Sequence, residues 1–309
     1  MRPLLMLLLL PLTGCATTTA PLQPGPWPPP PGALRMVIDT DAANEVDDQH
    51  ALALALGFPE TIRLEGLVAA HLGPKQGAAG VKKSFDEIQE VLRRSPRSKP
   101  VPVLQGNGPL PGRDPGPPSE GVRFIIDRAR ASSPDDPLWL VVLGPVTDAV
   151  AALIAAPDIR NRMIVFWHSR SEWPRYCRNF NAKNDPLAAL LAFELPSRLI
   201  LFDTGAQIVI PPADSERRLA PLGPLGAFLH QMRSRNSYVS GPKKGIFDLG
   251  DLAAFVEPGC VRWERVSAPA VTEDLSYDFS RPRGELIRIT DIDPSRPVDL
   301  LEEALRRLR

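Results

Sequence analysis

Residues 34–57 read LRMVIDTDAANEVDDQHALALALG, an apolar run, an acidic turn and an alanine- and leucine-rich run in direct succession. The apolar run at 34–38 predicts a short buried β-strand, and residues 47–57 predict an α-helix. A strand followed closely by a helix is the repeating unit of α/β proteins with parallel sheets. The acidic turn is therefore expected at the carboxyl end of a strand, where such sheets bind ligands.

The same alternation of strand and helix continues to the C-terminus. Further strands are predicted at 64–70, 138–143, 163–167, 199–202 and 207–210, and further helices at 81–94, 147–156, 185–194, 221–236, 249–256 and 298–308. This pattern predicts the α/β class, with one domain over residues 34–309 and a mostly parallel, open Rossmann-like sheet that has helices on both faces. The proline-rich loop at 95–120 is predicted to be the rim of a site or a mobile segment.

Composition excludes several classes of protein. Among 309 residues, 36 Lys and Arg balance 36 Asp and Glu, which argues against a nucleic-acid partner because such proteins normally have a basic excess. Hydrophobic residues at 43% and charged residues at 23% exclude a mainly disordered chain. Three cysteines exclude a disulfide scaffold. Cys177 and Cys260 leave a single disulfide open, and the sequence leaves a homo-oligomer open.

The N-terminus resembles a signal that targets a protein to the bacterial cell envelope. Residues 1–14 have a positive start and an apolar run, as in a signal peptide, and Leu12-Thr13-Gly14-Cys15 resembles the lipobox, in which Cys15 is lipidated. A plain signal peptide is the alternative. Residues 15–33 are rich in proline and predict an extended tether. We therefore expect a lipid-anchored protein at the outer membrane or the periplasmic face rather than in the cytoplasm.

The acidic turn contains more carboxylates than a loop needs. Asp39, Asp41, Glu45, Asp47 and Asp48 all fall between positions 39 and 48. Carboxylates this close repel one another, and a hard cation with oxygen ligands, such as Ca²⁺, removes the conflict. The alternative is an acidic loop with ordinary helix caps, although capping requires only one or two such groups.

Four segments in order resemble the inosine–uridine-preferring nucleoside hydrolase family. The acidic turn resembles the Asp-Thr-Asp…Asp-Asp signature, and residues 143–148 resemble a Gly-Pro-Leu-Thr-Asn turn. Residues 179–189 resemble a Glu-Phe-Asn…Asp-Pro-Glu-Ala-Ala block, and residues 247–258 resemble a late His-Asp…Asp-Pro segment. The resemblance implies a nucleoside hydrolase-like fold and hydrolysis of N-glycosidic bonds in a small-molecule riboside.

The resemblance also implies a Ca²⁺ site and its ligands. Asp41, Asp48 and Asp248 match carboxylates that bind Ca²⁺, and the main-chain carbonyl of Leu143 matches a fourth ligand. Asp41 also matches the general base that takes a proton from water. Asp39 has no direct ligand role by this match, and we expect it to orient its neighbours.

The same match places three residues at the ribose. Asp47 and Asn181 match groups that bind ribose hydroxyls, and Asn179 stands where the family has a glutamate. A loop or cap role remains the alternative for Asn181.

The sequence departs from the family at four places near this site, one of which is the loop at 169–178, where the family's glycine-rich pattern is missing. The turn is two residues longer and includes Asn44-Glu45, and residues 70–73 lack the family's ribose-binding asparagine. Phe247 replaces a histidine that helps the leaving base depart. If the protein is an enzyme, the loss of this histidine should make it slow on substrates with poor leaving groups compared with activated ones such as p-nitrophenyl riboside. Equal rates on both classes would indicate another acid, and His71, His168 and Glu172 are the candidates. The alternatives are a non-catalytic lipoprotein that binds sugars or nucleosides, and a phosphohydrolase that uses the Asp-Thr-Asp strand end.

Overall fold

A nine-stranded sheet forms the centre of the protein, in a computed structural model that describes residues 21–233 and 241–309. The strands are β1 (Gln23–Pro24), β2 (Leu34–Thr40), β3 (Ile62–Ala69), β4 (Val103–Gln105), β5 (Leu138–Val142), β6 (Met163–His168), β7 (Arg198–Phe202), β8 (Val261–Ser267), β9 (Ala270–Val271), β10 (Tyr277–Asp278) and β11 (Glu285–Ile292). The order is β4-β3-β2-β5-β6-β7-β11-β8, and β1 pairs with the start of β7. Within this sheet only β8 runs antiparallel to its neighbour, β11, and β9 and β10 form a separate hairpin-like pair.

Helices cover both faces of the sheet. They are α1 (Asp47–Gly57), α2 (Gly77–Arg93), α3 (Glu120–Arg130), α4 (Thr147–Ala155), α5 (Phe180–Asn184), α6 (Pro186–Glu194), α7 (Pro212–Asp214), α8 (Gly223–Met232), α9 (Leu249–Val256) and α10 (Ser295–Leu308). One core packs α1, α2, α8, α9 and α10 against one face, and a second core packs α3, α4 and α6 against the other. Along β5, Trp139 and Val141 enter the first core while Leu140 and Val142 enter the second, as expected for a strand buried on both faces.

The predicted α/β class and central parallel sheet are confirmed. The strand predicted at 207–210 is wrong, because this segment makes only one isolated bridge, between Val209 and Gly245, although its Ile208 and Ile210 are buried. Sequence periodicity did not reveal β8, whose middle residues are exposed, nor its partner β11, nor α3. Cys177 and Cys260 are both free and buried, so they form no disulfide.

More than half of the predicted proline-rich tether is built into the fold. Leu22 and Trp27 are buried, and Trp27 packs edge-on against Trp139 and Phe255. The prediction of a free tether over 15–33 is therefore wrong for residues 22–33, which we call the N-terminal strap, because its apolar side chains find sites in the core. The signal peptide and Cys15 lie outside the described residues. No helix in the described ranges is long and apolar enough to cross a membrane.

The loop at 95–120 supports polar groups behind the sheet edge instead of forming a mobile segment. It contributes β4, and Ser119 caps the first turn of α3 by accepting from the Val122 amide at 3.1 Å. The main-chain N–H of Asn107 donates to Asp148 Oδ1 at 2.6 Å, and the main-chain N–H of Leu110 donates to Asp185 Oδ2 at 2.9 Å. The loop therefore fixes two buried carboxylates on α4 and at the start of α6.

Candidate active site

The acidic turn lies where the sequence places it, beyond the carboxyl end of β2. A cavity of about 400 Å³ opens there, and it is lined by Asp41, Asn44, Glu45, Asp47, Asp48, Leu143, His168, Arg170, Glu172, Arg178, Asn179, Phe180, Asn181, Lys183, Phe247 and Asp248. Asp47 and Asp48 begin α1, where the helix dipole favours negative charge. Gly144 permits the close approach of β5, because a Cβ there would lie 2.8 Å from Asp41 Oδ1. The parallel sheet thus brings together residues that are about 200 positions apart in the chain.

Carboxylate oxygens converge at the base of the cavity. One oxygen each from Asp47, Asp48 and Asp248 lie within 4.8 Å of one another, and all three residues are buried. Asp41 is buried beside them, and its Oδ2 has no hydrogen-bond partner among the described residues. The donor set consists of hard oxygens, and the orphaned Asp41 oxygen needs a positive partner, so the residues present fit a hard divalent cation.

Burial and mutual repulsion shift the protonation of these carboxyl groups. Burial, with the charges of Asp48 and Asp47, raises the pKa of Asp41 well above its ordinary value. Burial, with the charges of Asp47 and Asp48, does the same to the pKa of Asp248. Burial and Asp47 raise the pKa of Asp48 to about 7, although Thr40 Oγ1 donates a hydrogen bond to it. The cluster therefore opposes its own ionisation unless a cation is present.

Asp39, the first residue of the signature, interacts most strongly with a carboxyl group outside this cluster. Its carboxyl group interacts with that of Asp148 on α4, and burial together with the charge of Asp148 raises the pKa of Asp39 well above its ordinary value. Burial likewise raises the pKa of Asp148 to about 7. Two adjacent buried carboxyl groups favour sharing one proton. The main-chain carbonyl of Asp39 accepts from the Leu143 amide at 2.8 Å, so this pair holds β2 beside the turn after β5.

Two asparagines reach the cavity from the start of α5. Asn181 Nδ2 donates to the main-chain carbonyl of Leu143 at 2.7 Å and to that of His168 at 3.2 Å. A carbonyl oxygen has two lone pairs, so the Leu143 carbonyl can also face a cation. Asn179 Oδ1 accepts from the Ala182 amide at 2.8 Å and caps α5. Asn181 therefore holds the carbonyl of Leu143, while the oxygen of Asn179 already has a structural partner.

A histidine and an aspartate that sequence analysis did not pair lie beside the carboxylates. His168 Nδ1 lies 2.7 Å from Asp251 Oδ2 and 3.5 Å from Asp248 Oδ1. Burial disfavours the charged imidazole, but the charge and hydrogen bond of Asp251 outweigh it and raise the pKa of His168. Asp248 and Asp251 are three residues apart at the start of a helix, a spacing that places them on one face. This spacing in the sequence could have indicated that Asp251 lies next to Asp248 at the site.

Of the other two acid candidates, only one lines the cavity. Glu172 lines it and is exposed. His71 is fully buried, with Nε2 2.8 Å from Thr147 Oγ1 and Nδ1 accepting from the Gly73 amide at 3.0 Å. Burial lowers the pKa of His71 to about 4. His71 is thus a neutral packing residue beneath the site.

The lengthened turn is fixed by a buried ion pair. Glu45 in the turn accepts from Lys244 Nζ, and Lys244 also lies 4.2 Å from the centre of the Phe247 ring. The guanidinium of Arg170 lies 4.5 Å from the same ring. Phe247 therefore has two cations against it, which is a favourable environment for an aromatic ring.

Comparison with known proteins agrees with this geometry. Residues 36–278 match the profile of a family described as inosine-uridine preferring nucleoside hydrolase. The chain belongs to this family. Nucleoside hydrolases are metal-dependent N-glycosyl hydrolases, and the acidic cluster of this chain contains the kind of oxygen donors that a metal site requires. No functionally curated protein matches the sequence.

Solved structures of nucleoside hydrolases, and of a type III effector protein, share the fold over nearly the whole chain. The purine-preferring ribonucleoside hydrolase from Gardnerella vaginalis is 21% identical with a TM-score of 0.69, over 89% of this chain and 98% of its own. The inosine-uridine preferring nucleoside hydrolase from Bacillus anthracis is 15% identical with a TM-score of 0.64, over 89% and 99%. The type III effector XopQ, solved with adenosine diphosphate ribose, is 17% identical with a TM-score of 0.66, over 90% and 94%.

Proposed function

We propose that this nucleoside hydrolase family member is a Ca²⁺-dependent ribohydrolase of the bacterial cell envelope. Its substrate class is ribonucleosides or related ribosides, and a lipid on Cys15 anchors it. The observation that best supports the chemistry is the convergence of buried oxygens from Asp47, Asp48 and Asp248 beside the unpartnered Asp41. Neutral helix capping does not account for four buried carboxylates at one strand end.

The oxygens of Asp41, Asp48 and Asp248 and the carbonyl of Leu143 would hold the cation. When bound, Ca²⁺ supplies positive charge that makes a neighbouring water more acidic. Asp41 is the general base of the proposal, because its Oδ2 faces no other donor and is available to take a proton. Asp39 and Asp148 hold the strand end that presents Asp41.

The substrate is oriented by groups that lie next to the proposed cation ligands. Asp47 lines the cavity as a buried acceptor, and Asn181 lines it with its amide hydrogen-bonded to the Leu143 carbonyl. We assign both residues to binding of the ribose hydroxyls. Asn179 lies next to them, but its side-chain oxygen already accepts the hydrogen bond that caps α5. Hydrogen bonds to the hydroxyls fix the anomeric carbon against the attacking water, and they stabilise a transition state that resembles an oxocarbenium ion.

The departing base needs a partner, and His168 is the residue that the geometry favours. It lines the cavity, and its ring centre lies 6.5 Å from that of Phe247, the residue that replaces the family's histidine. Its Nδ1 is held by Asp251, which leaves Nε2 for the substrate. In this proposal His168, at the end of β6, takes the role that the histidine at the position of Phe247 has in the family.

A reducing-sugar assay in millimolar Ca²⁺ tests the activity. The panel is inosine, uridine, nicotinamide riboside and p-nitrophenyl riboside, with ADP-ribose added because a protein of the same fold binds it. We expect cleavage of at least one member that stops when Ca²⁺ is chelated. Binding of these ribosides without cleavage would instead support the non-catalytic sugar- or nucleoside-binding lipoprotein.

Thermal unfolding tests the metal site without any need for activity. A cation that binds only the native state stabilises it by about 2.7 kcal/mol at 100 times its dissociation constant. We expect the melting temperature to rise with Ca²⁺ in the wild type, and to rise much less in Asp248→Asn. Equal shifts in both proteins would place the cation elsewhere.

A further inference from the structure

The N-terminal strap enters the fold at the amino ends of the strands. The Leu22 amide donates to the carbonyl of Arg283 at 2.6 Å, and the Leu22 carbonyl accepts from the Glu285 amide at 3.3 Å. The Gln23 amide donates to the carbonyl of Ser197 at 2.9 Å. Arg283 and Ser197 immediately precede the region where β11 and β7 begin, so the chain leaves the domain at that end.

The cavity lies at the other end of the same strands. Asp41 follows β2, Leu143 follows β5 and His168 ends β6, and these three strands run parallel to β7. Because β2 has seven residues at about 3.3 Å each, the two ends of the sheet are separated by about 20 Å. The chain exit and the cavity mouth therefore face opposite directions.

Only a short segment links the strap to the proposed anchor. Seven residue steps separate Cys15 from Leu22, and a fully extended chain covers about 25 Å over that length. The strap adds no slack, because β1 is hydrogen-bonded to β7 and Trp27 is buried in the core. A lipid on Cys15 would consequently hold the amino end of the sheet close to the membrane surface.

We propose that the amino ends of β6, β7 and β11 face lipid headgroups, and that the cavity opens away from the membrane into the aqueous compartment. The proposal rests on the lipid anchor in the proposed function. Arginines at this end suit anionic headgroups: no carboxylate oxygen among the described residues lies within 4.0 Å of the guanidinium nitrogens of Arg160, Arg162, Arg198 or Arg283. Acidic residues are also present at this end. Asp158 is paired with Arg130, Asp136 with Arg63 and Glu285 with Arg265, so they leave these four arginines without an ion-pair partner. Asp135 is the exception: it has no ion pair among the described residues and offsets part of this positive charge near Arg198.

Energy transfer from the protein to the membrane tests this orientation. The full-length lipidated protein is reconstituted in phosphatidylethanolamine–phosphatidylglycerol vesicles that contain a rhodamine-headgroup lipid. A donor dye is placed through Asn161→Cys at the amino end of β6 or, in a second protein, through Lys183→Cys at the cavity. The two native cysteines of the domain are buried and compete little for the dye. We expect transfer from position 161 to be at least about twice that from position 183.

Two controls separate the orientation from the anchor. Cys15→Ser should not float with the vesicles and should show no transfer. Insertion of about twenty Gly and Ser residues after Ala20 should make the two transfer efficiencies converge, because the inserted flexible linker adds about 22–27 Å of reach in any direction. If the wild type floats but position 183 transfers as strongly as 161, the orientation is wrong and the anchor stands. If the wild type does not float, both proposals are overturned.

Discussion

His168 at the end of β6 and Asp251 in the first turn of α9 form a buried hydrogen bond of 2.7 Å beside the acidic cluster. The pair lies next to Phe247, which stands where the resemblance predicts a histidine. An imidazole is therefore present at the cavity even though position 247 is a phenylalanine instead of a histidine. The carboxylate of Asp251 fixes the ring, as a base is oriented by a third group in other active sites.

Replacing His168 should affect substrates according to their leaving group. We expect His168→Gln to lower kcat on the best natural nucleoside by about 10²–10⁴-fold, the usual contribution of an acid or base group. p-Nitrophenyl riboside has an activated leaving group that needs no such help, so its cleavage should fall far less. Initial rates on both substrate classes measure the difference.

Asp251→Asn is the matched variant for this prediction. The amide keeps the size of the side chain but holds the ring less strongly. The loss of kcat should therefore depend on the leaving group in the same way as in His168→Gln, but it should be smaller. Glu172→Gln serves as the control for the other carboxyl-bearing candidate that lines the cavity. A selective loss in Glu172→Gln, with His168→Gln unaffected, would transfer the role to Glu172.

Asp41→Asn should abolish turnover while it leaves some metal binding. An amide oxygen can still face a cation, but it cannot take the proton of water, so we expect kcat to fall by at least 10²–10⁴-fold. Calorimetric titration with Ca²⁺ measures the remaining binding, and Asp86→Asn on the exposed face of α2 is the control for general effects of the substitution. Retained activity in Asp41→Asn would exclude Asp41 as the base.

The fold was predictable because most strands are buried on both faces. Runs such as Leu138–Val142 are continuously apolar, and they alternate with helices of ordinary length. The missed strand β8 has four consecutive exposed residues, which include charged ones, at the edge of the sheet. Edge strands are stabilised mainly by hydrogen bonding to one neighbour, here β11, and this pairing does not require a hydrophobic sequence pattern.

The acidic turn was predictable because its members are close in sequence, whereas the surrounding contacts are not. Lys244 pairs with Glu45 across 199 residues, and Asp251 pairs with His168 across 83. Such contacts depend on how helices pack on the sheet, which a single sequence does not display. The strap was misread for a related reason: a proline-rich composition indicates extended chain, but the extended chain can still pair and pack.

The Asp39–Asp148 pair predicts a substitution that stabilises the protein at alkaline pH. The pKa of Asp148 is raised from an ordinary 3.8 to about 7, so the native state retains a proton that the unfolded chain has released. The free energy of unfolding therefore falls as the pH rises from about 4 to about 7. Asp148→Asn removes the contribution of Asp148 to this dependence, and its amide can donate to an ionised Asp39. We expect a gain on the order of 2 kcal/mol at pH 8.

Denaturant unfolding at two pH values measures this effect. The gain from Asp148→Asn should be clearly smaller at pH 5 than at pH 8. Asp148→Ala is the contrasting variant, because it also removes the acceptor of the Asn107 amide and leaves Asp39 without a donor, so it should not stabilise. A gain that is the same at both pH values would mean that the acid pair does not share a proton.

The strap predicts where the folded domain can be cut. Trp27 is 7% exposed and contacts Trp139, Phe166 and Phe255, so Trp27→Ala should cost about 3–5 kcal/mol through lost burial and a residual cavity. A chain that starts at residue 34 loses β1 and Trp27 together, whereas a chain that starts at residue 21 keeps both. We expect the longer chain to unfold at the same temperature as the full-length protein. The shorter one should aggregate or unfold at least about 6 °C lower, by roughly 2–4 °C per kcal/mol. Equal melting temperatures for the two chains would mean that residues 21–33 are a dispensable tether after all.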